Sequence, residues 1–186
     1  MARVPYLSRD DADSGTKVLW DRLESERKTP TANIFRALAH APVQLDAFLS
    51  YANALRDGST LSPRLRELAI LTVGHVTASR YEIAHHRSHA LKAGVTAEQL
   101  DAIPDFETSA LFDAEERAVM RLAQASTLNV EVSDQRWSEA AAHLGDKQMV
   151  ELALTIAWYN SGVRIMGMLD IDLEESYQVK EHHQCR

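Results

Sequence analysis

The stretch LSPRLRELAILTVGHVTASRYEIAHHRSHALKAGV, residues 61–95, decides the fold. Ser62-Pro63 is a helix start: the serine oxygen can cap free amides, and a proline at the first helical position gives up an amide that has no partner there. The run that follows, to about Val76, is apolar at Leu65, Leu68, Ala69, Leu71, Val73 and Val76. It is apolar almost all round, which predicts a central, buried helix. Ser79 caps a second helix that runs to Ala93 and stops at Gly94. Packed as a hairpin, these two helices are the heart of the chain.

The same punctuation extends outward. Upstream, Val18, Leu19 and Leu23 share one face of a helix whose start is marked by Ser8 or Asp11. A short helix follows around Ile34 to His40, and Pro42 opens another that carries Leu45, Phe48, Leu49 and Leu55 before Gly58. Downstream, Thr96 with Gln99 and Asp113 with Glu116 are capping boxes, each pairing an N-cap side chain with a residue three positions on. Ser133 caps a helix through His143, and a long helix runs from Lys147 to about Met168. Helical periodicity is everywhere and strand alternation nowhere, so the chain is predicted all-α, built of packed helical hairpins. It is read as one domain, 1–186: a core at 61–103, a helical extension at 1–58, a second helical block at 113–170 and a tail from 174.

The composition fits. Of 186 residues, 45% are hydrophobic and 25% charged, with 7 glycines and 5 prolines, which argues against collagen-like, low-complexity and turn-rich β chains. Cys185 is the one cysteine, so an internal disulfide, a CxxC pair and a cysteine zinc site are excluded. A net charge of −7 with scattered basic residues speaks against a nucleic-acid partner. The start MARVPYLSRDDADSG has no apolar core of signal-peptide length, and no run is long enough to span a bilayer. The expectation is a cytoplasmic protein with no membrane partner.

ELAILTV at 67–73 lines up with ELALTIA at 151–157, a weak internal repeat between two long apolar helices. Extended without gaps, the alignment sets Ser79, Glu82 and His86 opposite Val163, Met166 and Asp170. The first copy therefore carries polar chemistry where the second is largely apolar. Chance similarity between two Leu/Ala-rich helices gives the same match.

SRYEIAHHRSH, residues 79–89, is the densest titratable cluster, with three of the eight histidines inside five residues. Glu82 and His86 are four apart and share a helix face. Glu67, on the mostly apolar helix before them, converges on that pair if the hairpin forms. Such a set suits proton transfer next to a carbonyl: histidine exchanges protons near neutral pH, and a half-buried glutamate orients or raises it. The alternative is a Glu–His pair that merely satisfies itself between helices. Ser79 is foremost an N-cap, and with Arg80 it can also hold a substrate anion at a helix N-terminus. Tyr159, opposite His75 in the repeat, can offer a pocket hydroxyl or serve as an interior aromatic. Glu67, Glu82 and His86, or His85 with His89, could instead be metal ligands, but HExxH is missing and no metal is expected. Trp158 reads as core or interface, and the tail residues His182, His183 and Cys185 are assigned no function.

The block from Leu61 to Ile103 resembles the core of the carboxymuconolactone decarboxylase and alkylhydroperoxidase D superfamily. That family's pattern is a glutamate, a CxxC beginning twelve residues later, and a histidine four beyond the second cysteine. Glu67 and His86 match the glutamate and the histidine, while Ser79 and Glu82 stand at the two cysteine positions. The resemblance implies an all-α fold and homo-oligomers, commonly trimers or hexamers. It also implies that thiol-peroxidase chemistry is lost here, since both the nucleophile and the resolving thiol are gone. The decarboxylase branch implies cofactor-free chemistry on a carboxylated lactone, for which Glu67, Glu82 and His86 are the catalytic candidates. Ser79, Arg80 and Tyr159 are then the substrate-binding ones. A lyase or isomerase acting on a small carbonyl or carboxylate compound is the first reading. A non-catalytic ligand-binding or structural member is the second, and a peroxidase-type redox protein the third.

Overall fold

The computed structural model of the chain describes residues 2–27 and 32–177. Among them are nine α-helices, one 3-10 turn and no strand. The helices are α1 (Ser14–Arg27), α2 (Asn33–Leu38), α3 (Pro42–Asp57), α4 (Pro63–Val76), α5 (Arg80–Lys92), α6 (Ala97–Ala102), α7 (Ala114–Leu128), α8 (Asp134–Ala141) and α9 (Asp146–Leu169). The 3-10 turn, Ile103–Asp105, follows α6. The fold is all-α, as the periodicity required. The chain divides into two compact units, Met1–Ala54 with Arg164–Arg186, and Leu55–Val163.

The second unit holds the quoted block. Ser62 accepts a hydrogen bond from the Leu65 amide, Pro63 stands at the first helical position, and α4 runs to Val76. From Leu68 to Val73 every residue of α4 is buried, so its all-round apolar character is spent inside the unit. Its end differs from the glycine-closed end that helices usually favour. Ala78 sits at φ 52, a left-handed conformation that costs a residue with a Cβ about 1–2 kcal/mol. Two bonds hold it there: Ser79 N to Gly74 O at 2.8 Å and Ala78 N to His75 O at 3.1 Å, the pattern of a Schellman closure. The chain reverses within these residues, and Ser79 caps α5 by accepting from the Glu82 amide. Gly94, at φ 89, closes α5 in the same way, with Val95 N on Ala90 O at 3.0 Å.

Gly74 sets how closely α4 and α5 lie. A Cβ there would stand 3.2 Å from Ile83 Cγ1 and 3.4 Å from Glu82 Cβ, tighter than most real contacts. Away from that seam, Leu68, Leu71, Val95, Leu100, Ile103, Phe106, Phe112 and Met120 form one buried cluster across α4, α6 and α7. Both capping boxes are present, at Thr96/Gln99 and Asp113/Glu116.

The first unit has its own core of Trp20, Leu23, Ala39, Leu45 and Leu49. Two expectations are corrected here. The helix α1 is opened by Asp13, which accepts from the Thr16 amide at 2.8 Å. Ser8 and Asp11 instead bond each other, at 2.8 Å from the amide and 2.6 Å from the hydroxyl, and so leave no cap for the helix. Val18 is 65% exposed, because the buried line of α1 passes through Thr16, Trp20 and Leu23. Further on, α8 stops at Ala141 rather than His143, whose amide closes a turn on Ala140. His182, His183 and Cys185 lie outside the described residues. No helix of the described chain is long and apolar enough to cross a membrane.

Candidate active site

The close α4–α5 seam brings Glu67, one turn into α4, against His86 in the middle of α5. Glu67 Oε2 accepts a hydrogen bond from His86 Nδ1 at 2.7 Å. On the other edge of the ring, His86 Nε2 faces Glu82 Oε2 at 3.4 Å. Tyr159, from α9, meets the ring edge-on, with centroids 4.9 Å apart at 89°. All three members of the trio are buried, at 6% (Glu67), 8% (Glu82) and 7% (His86) exposure.

Burial alone would push the Glu67 carboxyl up, but the hydrogen bond and charge of His86 outweigh it and hold Glu67 below its ordinary value. Burial likewise works against protonated His86, yet the hydrogen bond and charge of Glu67, helped by Glu82, hold its pKa above the usual range. Glu82 is raised, because burial dominates and the charges of His86 and His85 do not offset it. Tyr159 is pushed far up by burial and by the two carboxylates, so it stays a hydroxyl. Since Glu67 is ionised and can only accept, the proton on Nδ1 is fixed, and Nε2 is the nitrogen left to exchange protons.

Among the described residues, Trp20 Nε1 is the one fully enclosed side-chain polar atom without a hydrogen bond. Glu82 meets His86 Nε2 as an ion pair at 3.4 Å and not through an aligned hydrogen bond. Gly162 of α9 lies against the carboxyl: a Cβ there would stand 3.5 Å from Glu82 Oε1.

The other expected residues fall out differently. Ser79 uses its oxygen as the α5 cap, 3.4 Å from the Glu82 amide, and thereby sets the first turn on which Glu82 lies. Arg80 is exposed on that turn. His85 and His89 do not act as a pair: His85 stacks on Tyr81 at 4.3 Å, and His89 tilts against His86 at 5.6 Å. No group of three His, Cys, Asp or Glu side chains among the described residues is arranged to hold a metal ion. His75 lines a depression with Ile83 and Arg87. Arg56, at the end of α3, was missed by the sequence reading. It donates toward the Tyr159 hydroxyl and its charge acts on His86 and His89. No spacing rule links an arginine before Ser62 to a histidine helix, and only packing reveals the contact.

The family model for the carboxymuconolactone decarboxylase family matches residues 42–125. YdfG, an uncharacterized protein of Bacillus subtilis (strain 168), is 28% identical over 109 residues, covering 58% of this chain and 74% of that one. Among solved structures, the debrominase Bmp8 in complex with 2,3,4-tribromopyrrole superposes with a TM-score of 0.82 at 17% identity, covering 98% of this chain and 99% of that one. The alkylhydroperoxidase AhpD core of an uncharacterized peroxidase-related protein from Ralstonia eutropha JMP134 gives 0.81 at 16% identity, over 95% of this chain and 94% of that one. A peroxidase-related protein from Silicibacter sp. TM1040 gives 0.79 at 17%, over 94% and 92%. The chain therefore has the AhpD-like helical fold. Over residues 42–125 it is similar to the carboxymuconolactone decarboxylase family.

Proposed function

We propose that the protein is a cofactor-free lyase or isomerase that moves a proton at carbon next to a carbonyl, on a small carboxylated ketone or lactone. The observation that carries this reading is the buried acid–base trio: His86 Nδ1 is committed to Glu67 at 2.7 Å, while Nε2 faces the Glu82 carboxyl at 3.4 Å. In a decarboxylation, the bond to the departing carboxylate breaks, CO₂ leaves with no electrons from that bond, and an enolate remains. His86 Nε2–H then gives its proton to the enolate carbon and recovers one from solvent. Glu67 stabilises the imidazolium, and the Tyr159 hydroxyl donates to the enolate oxygen. In this reading Arg56 and Arg80 hold the substrate anion, and Ser79 positions Glu82 as the α5 cap.

The neighbours in structure include a debrominase and peroxidase-related proteins, so the fold by itself does not select a reaction. Against thiol chemistry stands the sequence, with serine and glutamate where that family's cysteines fall. In the same proposal the protein is a homo-oligomer. Val150 (55% exposed) and Leu154 (42%), with the exposed Ala153 and Ala157, leave an apolar stripe on α9 that a second copy would cover.

The test is solvent deuterium exchange into a panel of small keto and lactone acids, followed by mass spectrometry. Exchange that depends on His86 and Glu67 supports the reading. Exchange unchanged in both His86→Gln and Glu67→Gln replaces it with a ligand-binding role for the same cluster.

A further inference from the structure

We propose that the depression between α4, α5 and the Leu100–Ile103 segment is a second ligand site, for a small carboxylate with an apolar body. It encloses about 270 Å³, just under the ~300–1,000 Å³ of most small-molecule sites, which suits a single ring or a short branched chain. Leu71, Ile83, Leu100 and Ile103 give it an apolar floor, and His75, Arg87 and Asp101 stand around it. Ile83 and Arg87 each follow a member of the trio by one residue, which turns them about 100° around α5 from Glu82 and His86. A ligand here leaves the trio unoccupied, so the inference goes beyond the proposed function.

Two polar groups around the depression have unspent capacity. The half-buried ring of His75 makes no side-chain hydrogen bond to the described residues, and burial holds its pKa below the ordinary value of 6.5. It is therefore a neutral ring with an N–H to offer. Arg87 Nη1 meets Asp101 Oδ1 at 3.2 Å, a single contact to a side chain that is 73% exposed. Exposed bridges of this kind contribute little and exchange readily. A ligand carboxylate can take both forks of the Arg87 guanidinium while Asp101 turns to water, a geometry that the single Asp101 contact does not achieve. The His75 N–H then reaches a second oxygen or a ring substituent.

Titration of the ¹⁵N-labelled full-length protein with benzoate, followed by TROSY spectra, tests the assignment. Saturable shifts are expected at the amides of His75, Ile83, Arg87 and Leu100, with half-saturation at about 1 mM. Benzamide, of the same shape without the charge, should bind about tenfold more weakly, since the hydrogen bonds to a charged partner are lost. Arg87→Gln should bring benzoate down to the benzamide level with the rest of the spectrum unchanged. Equal binding of the two compounds by the wild-type protein overturns the carboxylate assignment without recourse to any variant. Shifts centred on Glu67 and His86, or none up to tens of millimolar, overturn the site itself.

Discussion

Helix α4 carries two ionic centres less than one turn apart, and they are built to opposite plans. At Arg64 every nitrogen is engaged: Nε reaches Glu116 Oε1 at 2.6 Å, Nη2 reaches Gln99 Oε1 at 2.8 Å, and Nη1 takes the Gly94 carbonyl. Glu116 in turn caps α7, bonding the Asp113 amide at 3.0 Å, and Gln99 donates to the Leu111 carbonyl at 2.8 Å. This clasp locks α4, α6 and α7 together. At Glu67, by contrast, one carboxyl oxygen holds one ring nitrogen, and the facing carboxyl of Glu82 is left without an aligned donor. A satisfied network rigidifies, whereas a half-satisfied one holds a reactive group ready. The same charges on the same helix serve the fold in one place and, on our reading, chemistry in the other.

The sharpest way to break this contrast is to remove one member of each centre. His86→Gln should lower proton exchange by about 10²–10⁴-fold while the fold persists, the usual weight of general acid–base catalysis. Glu67→Gln should act similarly, because an amide can hold the ring but not stabilise its charged form. Arg64→Met should do the reverse. Stranding Glu116, which is only 4% exposed, should cost toward the lower end of about 3–5 kcal/mol, because Arg64 is itself part-exposed. Turnover per folded molecule should hardly move. Chemical denaturation alongside the exchange assay reads both, and equal losses of stability and activity in the two variants would erase the distinction.

A pH series sharpens the comparison further. His86 is raised above its ordinary 6.5, so the stability it contributes is complete below that value and fades as pH climbs through its folded-state pKa. Glu67 is lowered below 4.5, so its contribution holds above that value and fades only in more acid solution. The gap in melting temperature between wild type and His86→Gln should therefore be widest between about pH 4.5 and 6.5 and shrink as the solution becomes alkaline. Arg64→Met, whose clasp contains no histidine, is the reference variant in the same buffers. Calorimetry across that series reads both.

Smaller effects probe the edges of the cluster. Gly162→Ala should raise stability by about 0.5–1 kcal/mol through helix propensity, yet lower exchange, because the new methyl stands against Glu82. A rise in both would mean that the space beside Glu82 is not used. Cys185→Ser should change neither, and peroxide turnover that disappeared in that variant would restore the thiol reading.

Much of this could be read from the chain. Caps at Ser62, Ser79, Thr96 and Asp113 gave helix boundaries to within a residue, because capping is a contact between neighbours in sequence. The Glu67–Glu82–His86 set was legible for a related reason. Helical spacing fixes Glu82 beside His86, and a short connection returns α5 onto α4. Val18 was misplaced, since periodicity finds a face but does not say which half of a broad face turns inward.

Tertiary structure alone decided the rest. The repeat gives Glu67 and Glu151 the same following residues, Leu-Ala, but Glu151 gathers the amides of Thr60 and Leu61, each at 2.9 Å, and no histidine. The Arg64 clasp joins residues 35 and 52 positions apart, and Arg56 reaches Tyr159 from a different helix. Nothing in local sequence predicts the left-handed Ala78, which a glycine would adopt without strain; two carbonyls of α4 hold it there. Sequence specifies what neighbours along the chain can do for one another. Which distant charges meet, and whether they meet fully or leave an edge open, depends on how closely the helices pack, and here that closeness was set at Gly74.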